Sequence, residues 1–479
     1  MSSLKRKFYI TTPIYYVNDK PHIGHAYTTI AADVLARYYR SKKYEVFFLT
    51  GTDEHGANIE SKAREAGKEP QAFVDEIAGL FQKAWRELNI SNDRFIRTTE
   101  ADHIKAVQKA LQAMYDKGDI YLGKYEGLYC SKCEQYKSER DLVDGKCRDH
   151  NIVPEKLKEE CYMFKLSKYA DQLLKKIEKD EFKIRPLARK NEIVSFYKTE
   201  GLQDVSFSRK NVKWGIPMPW DKNHTTYVWA DAFLNYLTGL GWKGETGKYP
   251  KLWPADVQLM SKDILRVHAT IWPAMLLSLE IPLPKELFIH GYFLIDGQKM
   301  SKSIGNVIAP ADLIKKYGVD ATRYLLMSAA TFGSDGDIGW QKFDEKYNAD
   351  LANNLGNLVS RVLNMIEKYC DGKIPKIVKN PKKLDKIGKH IEALAFDLAL
   401  KEIWQAIVWA NVYIDQSEPW KLAKQGKQEV LDKILSELAA LLCDLAKAIE
   451  PFMPETSQKI IKNLTSGKIV KGEPLFKRI

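Results

Sequence analysis

The sequence predicts an α/β protein: a doubly wound parallel sheet, split by an insertion and followed by an α-helical bundle. Three observations carry that reading. Residues 7 to about 117 alternate short apolar runs with amphipathic stretches, the pattern of parallel strands joined by helices. From about Tyr121 to Asn223 the alternation gives way to cysteines and charge runs, and at Thr226 it resumes. Beyond Tyr347 the apolar spacing becomes helical.

Phe8-Tyr9-Ile10 reads as the first strand, and a helix is expected from about Tyr27 to Arg40. Between them stands Pro21-His22-Ile23-Gly24-His25, at the helix start where free backbone N–H groups can meet a nucleotide. His22 and His25 can donate hydrogen bonds to phosphate oxygens that gain charge during transfer, and Gly24 lets a flat base or ribose approach the backbone. Val46-Phe47-Phe48-Leu49 is the next strand; past the insertion come Thr226-Tyr227-Val228-Trp229, Val257-Gln258-Leu259-Met260 and Leu287-Phe288-Ile289-His290. A second word, Lys299-Met300-Ser301-Lys302-Ser303, puts two lysines on a loop flanked by Gly297 and Gly305, which suits a pyrophosphate leaving group. In a doubly wound sheet the two words are expected to face one crevice at the carboxyl ends of strands. In the last third Val430, Ile434, Leu438, Leu441, Leu442, Leu445 and Ile449 recur at helical spacing, as do apolar positions from Ile391 to Ile414, and a Lys/Pro-rich link runs from Asp371 to Lys383. The expected segments are 1–117 and 226–298 for the two halves of a nucleotide-binding catalytic domain, 118–225 for the insertion, 299–346 for the lysine loop and a linking fold, and 347–479 for the bundle.

At 479 residues the chain exceeds a single compact core, and 45% hydrophobic with 28% charged residues is an ordinary soluble composition. A formal charge of +12 favours an acidic partner such as an RNA backbone, and an excess of about six positive charges lies from Lys346 onward. No apolar stretch approaches a membrane span and the first residues lack the apolar core of a secretory signal, so a cytoplasmic protein is expected. Six cysteines in this length do not suggest a disulfide framework. Cys130-Ser131-Lys132-Cys133 and Cys147-Arg148-Asp149-His150 instead form two hooks that can supply Cys130, Cys133, Cys147 and His150 to one tetrahedral, structural Zn2+. Cys161 would be a fifth, unneeded ligand.

Both words match, letter for letter, the signatures of the class I aminoacyl-tRNA synthetases. Thr11-Thr12-Pro13-Ile14-Tyr15-Tyr16-Val17-Asn18, Thr50-Gly51-Thr52-Asp53-Glu54-His55-Gly56, Tyr227-Val228-Trp229-Ala230-Asp231-Ala232 and His268-Ala269-Thr270-Ile271-Trp272-Pro273-Ala274 resemble the methionyl-tRNA synthetase family, in its bacterial type with a single zinc knuckle. The resemblance spans nearly the whole chain. It implies a Rossmann-type sheet split by the zinc-binding insertion, with an anticodon-binding helical domain after it. It implies activation of L-methionine by ATP, with Mg2+ on the phosphates, and transfer to tRNA(Met), initiator and elongator. Ile14, Tyr16, Trp229, Ala232, Tyr236, His268 and Trp272 would line the methionine pocket, and Asp53 would take the ammonium group. Rings and an aliphatic wall suit a polarizable thioether. Of the phosphate-facing groups, Lys302 would carry most; Asp263 matches an active-site aspartate of the family without a role its chemistry identifies. Asn353, Asn357 and Arg361, spaced by four on one helix face, and Trp420 after Pro419 match the anticodon-binding positions. The chain ends soon after the bundle, so a monomer is expected.

Gly118-Asp119-Ile120-Tyr121-Leu122-Gly123-Lys124 has the spacing of a phosphate loop, but Tyr125 stands where magnesium needs Ser or Thr, and bulky residues fill the turn. A small nucleotidyltransferase can share a His-Gly-His turn but needs no helical RNA-binding third. A lapsed, non-catalytic tRNA binder has no physical reason to keep both words intact.

Overall fold

The first apolar run becomes β1 (Lys7–Thr11), and β2 (Tyr15–Tyr16) follows it. A computed structural model describes residues 6–131, 135–137, 142–148, 151–210, 212–295, 297–300, 305–375 and 380–479. After β2 come α1 (Ile23–Ser41), β3 (Glu45–Asp53), α2 (Ala57–Glu65), α3 (Pro70–Glu87), β4 (Arg94–Arg97) and α4 (Ala101–Asp116). The middle of the chain forms β5 (Ile120–Cys130), β6 (Gln135–Lys137), β7 (Leu142–Val143), β8 (Lys146–Cys147), β9 (Glu155–Phe164), α5 (Ala170–Glu178), β10 (Lys183–Arg185), α6 (Leu187–Thr199), β11 (Val205–Ser206), β12 (Ser208–Arg209) and β13 (Thr225–Thr226). Then follow α7 (Val228–Ala232), α8 (Asn235–Thr238), β14 (Val257–Ser261), α9 (Leu265–Ala269), α10 (Ile271–Ser278) and β15 (Glu286–His290).

Seven strands form the main sheet, in the order β10-β15-β14-β1-β3-β2 with β4 also on β3, and every pairing is parallel. Leu49 pairs with both Thr11 and Arg94, so β1 and β4 flank β3 on opposite edges; Thr52 likewise pairs with Tyr15 and Arg97, so β2 prolongs the edge of β1. The central strands are buried on both faces, which is why they read as continuous apolar runs. Gly51 is required at the β3–β4 contact: a Cβ there would lie 2.0 Å from the Ile96 carbonyl oxygen. β5 and β9 form the long antiparallel pair of the insertion.

By its contacts the chain divides into two compact units. The first comprises residues 1–21, 43–85 and 91–290, the second residues 22–42, 86–90 and 291–479. The second contains α1, the three-stranded sheet β17-β16-β18 made of Gln298–Lys299, Phe293–Ile295 and Gly336–Ile338, and α11 (Pro310–Tyr317), α12 (Val319–Met327) and α13 (Trp340–Lys346). A π-helical segment, Tyr347–Gly356, leads into α14 (Asn357–Tyr369), and α15 (Lys386–Glu392), α16 (Phe396–Ser417), α17 (Pro419–Lys424), α18 (Gln428–Ile449) and α19 (Pro454–Thr465) complete the bundle.

Four readings change. Tyr227-Val228-Trp229 is not strand: β13 stops at Thr226 and α7 begins, because a short apolar run looks alike as buried strand or buried helix. The first helix starts at Ile23 rather than near Tyr27, since His22 caps it. β10, inside the stretch expected as insertion, is an edge strand of the main sheet. Val430, counted with the apolar stripe of α18, is 48% exposed, whereas Ile434, Leu438, Leu441, Leu442, Leu445 and Ile449 are buried. At Ile338-Gly339-Trp340, Ile338 is buried at the end of β18, Gly339 precedes α13, and the Trp340 ring stacks on Tyr317 at 6.3 Å.

Candidate active site

In the first unit the carboxyl ends of β2, β3 and β14 carry the residues expected to hold an amino acid. Tyr16 and Asp53 are register partners across β2 and β3. Asp53 is buried at the last position of its strand, while Ile14 and Tyr16 are half-buried and pack on the core. Past β14, α9 presents His268, and α7, α8 and α10 present Trp229, Ala232, Tyr236 and Trp272. Four of these side chains form one cluster. The Trp229 and His268 rings lie 5.9 Å apart, Tyr236 and Trp272 lie 5.5 Å apart, and the Tyr236 hydroxyl is 2.9 Å from His268 Nε2. Ala232 is buried beside them in sequence on α7.

The hydrogen bonds determine the protonation of the His268–Tyr236 pair. His268 Nδ1 faces the Ile264 carbonyl oxygen at 2.9 Å, which can only accept, so Nδ1 carries the proton. Nε2 is therefore an acceptor and the Tyr236 hydroxyl donates to it. Burial pushes the His268 imidazole down to about 4, outweighing the Ile264 hydrogen bond and Asp263, which both raise it. Burial also raises the Tyr236 hydroxyl far above its ordinary value. The cluster is thus neutral at pH 7, a surface for an uncharged, polarizable side chain. Trp272 is fully buried, its indole donating to Gln258 Oε1 at 3.0 Å. Asp263 is exposed on the turn before α9, where it accepts from the Ser261 hydroxyl.

Phe233 is the residue that motif reading missed. It lies 5.2 Å from Trp229, 4.9 Å from His268 and 5.8 Å from Trp272, and so joins the cluster. Its only signal was its place directly after Ala232. The Asp53 loop is held from the other side: Glu54, fully buried, takes a two-pronged ion pair from Arg97 at 2.7 and 2.9 Å and accepts from Thr52 and Thr99.

In the second unit the histidine word caps α1 in an unusual way. His22 Nδ1 accepts from the Gly24 N–H at 3.0 Å, and His25 Nδ1 accepts from the His22 N–H at 3.2 Å. With both Nδ1 atoms used as acceptors, each neutral ring carries its proton on Nε2. The rings stack at 3.8 Å. Burial, and then the neighbouring His22, hold His25 well below the ordinary histidine value. Both imidazoles can thus donate from Nε2. Gly24 is needed here: a Cβ would lie 2.8 Å from His22 Cε1 and 3.0 Å from its Nδ1. The same Cβ position is 3.8 Å from the Met300 methyl carbon, so the fold brings the histidine word against the lysine word. Lys299 ends β17, opposite Leu294; Lys302 lies outside the described residues.

Cys130 ends β5 and Cys147 ends β8, both are buried, and neither is in a disulfide. Strand-end thiols of this kind fit a zinc knuckle. Cys133 and His150 lie outside the described residues, and among the described residues no group of three or more metal-ligating side chains is assembled.

The bundle residues are engaged with one another. Asn353, in the π-helical segment, accepts from Arg478 Nε at 2.8 Å. Asn357 donates to Asn411 at 3.5 Å and Arg361 to Asp415 at 2.5 Å, as rungs between α14 and α16. Asn353 lies in the π-helical segment, and Asn357 and Arg361 lie one turn apart on α14. Trp420 is the second residue of α17, after Pro419, and is 37% exposed.

The family model for class I tRNA synthetases of the M group matches residues 8–151 and 138–363. The chain is 47% identical over 510 residues to a methionine–tRNA ligase of Clostridium acetobutylicum, covering 100% of this chain and 79% of the relative. It is 47% identical over 508 residues to that of Caldanaerobacter subterraneus, covering 99% and 79%. Among solved structures, the Mycobacterium tuberculosis methionyl-tRNA synthetase in complex with methionyl-adenylate superposes with a TM-score of 0.91 at 38% identity, over 98% of each chain. A histidine word that caps α1 with Met300 of the lysine word beside Gly24, a neutral aromatic cluster at strand ends and likeness along the whole length lead to one statement: the chain belongs to the class I tRNA synthetases of the methionine group.

Proposed function

We propose that this chain is a methionine–tRNA ligase, activating L-methionine with ATP to methionyl-adenylate and passing the methionyl group to tRNA(Met), with release of pyrophosphate and AMP. The observation that carries the reading is the neutral His268–Tyr236 pair within the aromatic cluster, on the carboxyl-end side of the strands that hold Asp53. A thioether needs a polarizable, uncharged wall and an α-ammonium needs a carboxylate; Ile14, Tyr16, Trp229, Ala232, Tyr236, His268 and Trp272 supply the first and Asp53 the second. The methionine carboxylate attacks the α-phosphorus in line. His22 and His25 offer Nε2–H donors to the phosphate oxygens, and Lys299 and Lys302 add positive charge at the leaving pyrophosphate. Magnesium bound with ATP supplies further charge neutralisation there. The terminal ribose hydroxyl of tRNA then attacks the adenylate carbonyl, with no covalent enzyme intermediate. Asn353, Asn357, Arg361 and Trp420 form the anticodon-binding face, where RNA bases take over the amide and guanidinium partners named above. Cys130, Cys133, Cys147 and His150 hold one structural zinc. The reading places the protein in the cytoplasm, where tRNA is charged; no described helix is long and apolar enough to cross a membrane.

Amino-acid-dependent exchange of pyrophosphate into ATP, run over all twenty amino acids, tests the reading. Exchange with methionine is expected; none with any amino acid, or exchange with isoleucine or cysteine alone, refutes it. Trp420→Ala should lower aminoacylation and leave exchange intact. Elemental analysis should return about one zinc per chain.

A further inference from the structure

A second buried cluster shares α7 and α8 with the aromatic one and has no part in the roles above. Asp231 sits inside α7, between Trp229 and Ala232, and is almost fully buried. Its Oδ2 lies 2.6 Å from His55 Nδ1 and its Oδ1 lies 2.7 Å from His103 Nε2. An ionised carboxylate can only accept, so both imidazoles donate to it. His103 Nδ1 is hydrogen-bonded to the Thr238 hydroxyl at 2.7 Å. Burial alone would raise the Asp231 carboxyl, but the two imidazoles outweigh it and hold it below the usual carboxylate range.

The elements joined by this carboxylate are the ones that make the pocket. His55 is two residues past Asp53, on the loop that leaves β3. Asp231 is flanked by Trp229 and Ala232, and Thr238 follows Tyr236 by two residues at the end of α8. α7 is five residues long and α8 four. Helices this short do not hold themselves in place, since nucleation is costly and too few internal bonds follow it. Apolar contacts around them are non-directional, whereas two charge-assisted hydrogen bonds fix distance and angle. We propose that Asp231, clamped by His55 and His103, is a positioning residue for the amino-acid pocket, setting the Asp53 loop against Trp229, Ala232 and Tyr236. This rests on the assignment of those residues to methionine.

Asp231→Asn keeps the shape but replaces two acceptors by one acceptor and one donor, so one imidazole must turn its N–H away. In methionine-dependent pyrophosphate exchange, KM for methionine should rise about tenfold or more, with KM for ATP within about twofold and kcat less affected than KM. Thr238→Val, which removes the hydroxyl that orients His103, should shift the methionine KM in the same direction by about threefold, and Thr238→Ser should restore it. Trp229→Leu serves as a control on the pocket itself. If Trp229→Leu raises the methionine KM while Asp231→Asn and Thr238→Val do not, the clamp is refuted and the pocket stands. A Trp229→Leu enzyme with unchanged methionine KM refutes the pocket assignment. Parallel loss for both substrates that tracks the fall in melting temperature makes the clamp merely structural and overturns the proposal. Should Asp231→Asn fail to fold, the Thr238 pair decides.

Discussion

The backbone sets the free ring hydrogen of His22 and His25 on Nε2, because each Nδ1 is consumed in capping α1, and the proposed phosphate contacts would come from there. Gly24→Ala therefore acts through His22: the added methyl meets the ring at 2.8 Å and displaces it. Pyrophosphate exchange should fall roughly 100-fold in kcat, as when one oriented donor is lost, while a cap worth about 1 kcal/mol lowers the melting temperature only slightly. His268 offers a test in pH. The folded chain keeps it neutral down to about 4, whereas the unfolded chain protonates it below 6.5. The unfolded state thus binds more protons in that window, and stability should fall by up to about 3 kcal/mol as pH drops from 6.5 to 4. Urea midpoints at pH 7 and 5 should differ less in His268→Gln than in the parent; His25, also held neutral, keeps part of the slope. The identities of His22, Gly24, His25, Asp53 and His268 were legible as letters in motifs. Which ring nitrogen of His22, His25 and His268 carries the proton was not, since that depends on a backbone partner that only folding supplies.

At the level of elements, local pattern served where a segment's own periodicity decides its shape. β1, β3, β14, β15 and α18 lie where their apolar spacing placed them. It misled at Tyr227-Val228-Trp229, because burial on all sides removes the periodicity that separates strand from helix. It also could not foresee that Tyr347–Gly356, which holds Asn353, is π-helical. α1 has a further anchor in its own unit: Arg323 on α12, fully buried, donates to Asp33 at 2.7 Å and to the carbonyl oxygens of Leu88, Pro451 and Phe452 at 3.1, 2.9 and 2.8 Å. Removing Arg323 leaves Asp33 paired with Arg37, which sits 2.7 Å from the same carboxylate oxygen, and takes the donor from three buried carbonyl oxygens at once. Arg323→Met should lose about 3–5 kcal/mol in urea unfolding, and KM for ATP should rise, because the helix that carries His22 and His25 is no longer pinned.

Over the whole molecule the formal charge of +12 reads as affinity for a polyanion. Raising salt from roughly 50 to 200 mM should increase KM for tRNA by roughly tenfold or more, while the methionine KM in exchange stays within about twofold, since only the first interaction releases condensed counterions. Equal salt sensitivity of both would refute an electrostatic role for the basic surface. The chain read alone determined the class of fold, the two nucleotide words, the knuckle spacing and the family, because each is a contiguous pattern or a local periodicity. Tertiary structure alone decided the rest: that Met300 comes against Gly24, that Phe233 joins the aromatic cluster, and that Asp231 is shared by His55 and His103 across 176 and 128 residues. The physical reason is the directionality of hydrogen bonds and ring contacts, whose partners are chosen by packing and leave no mark in the order of the letters.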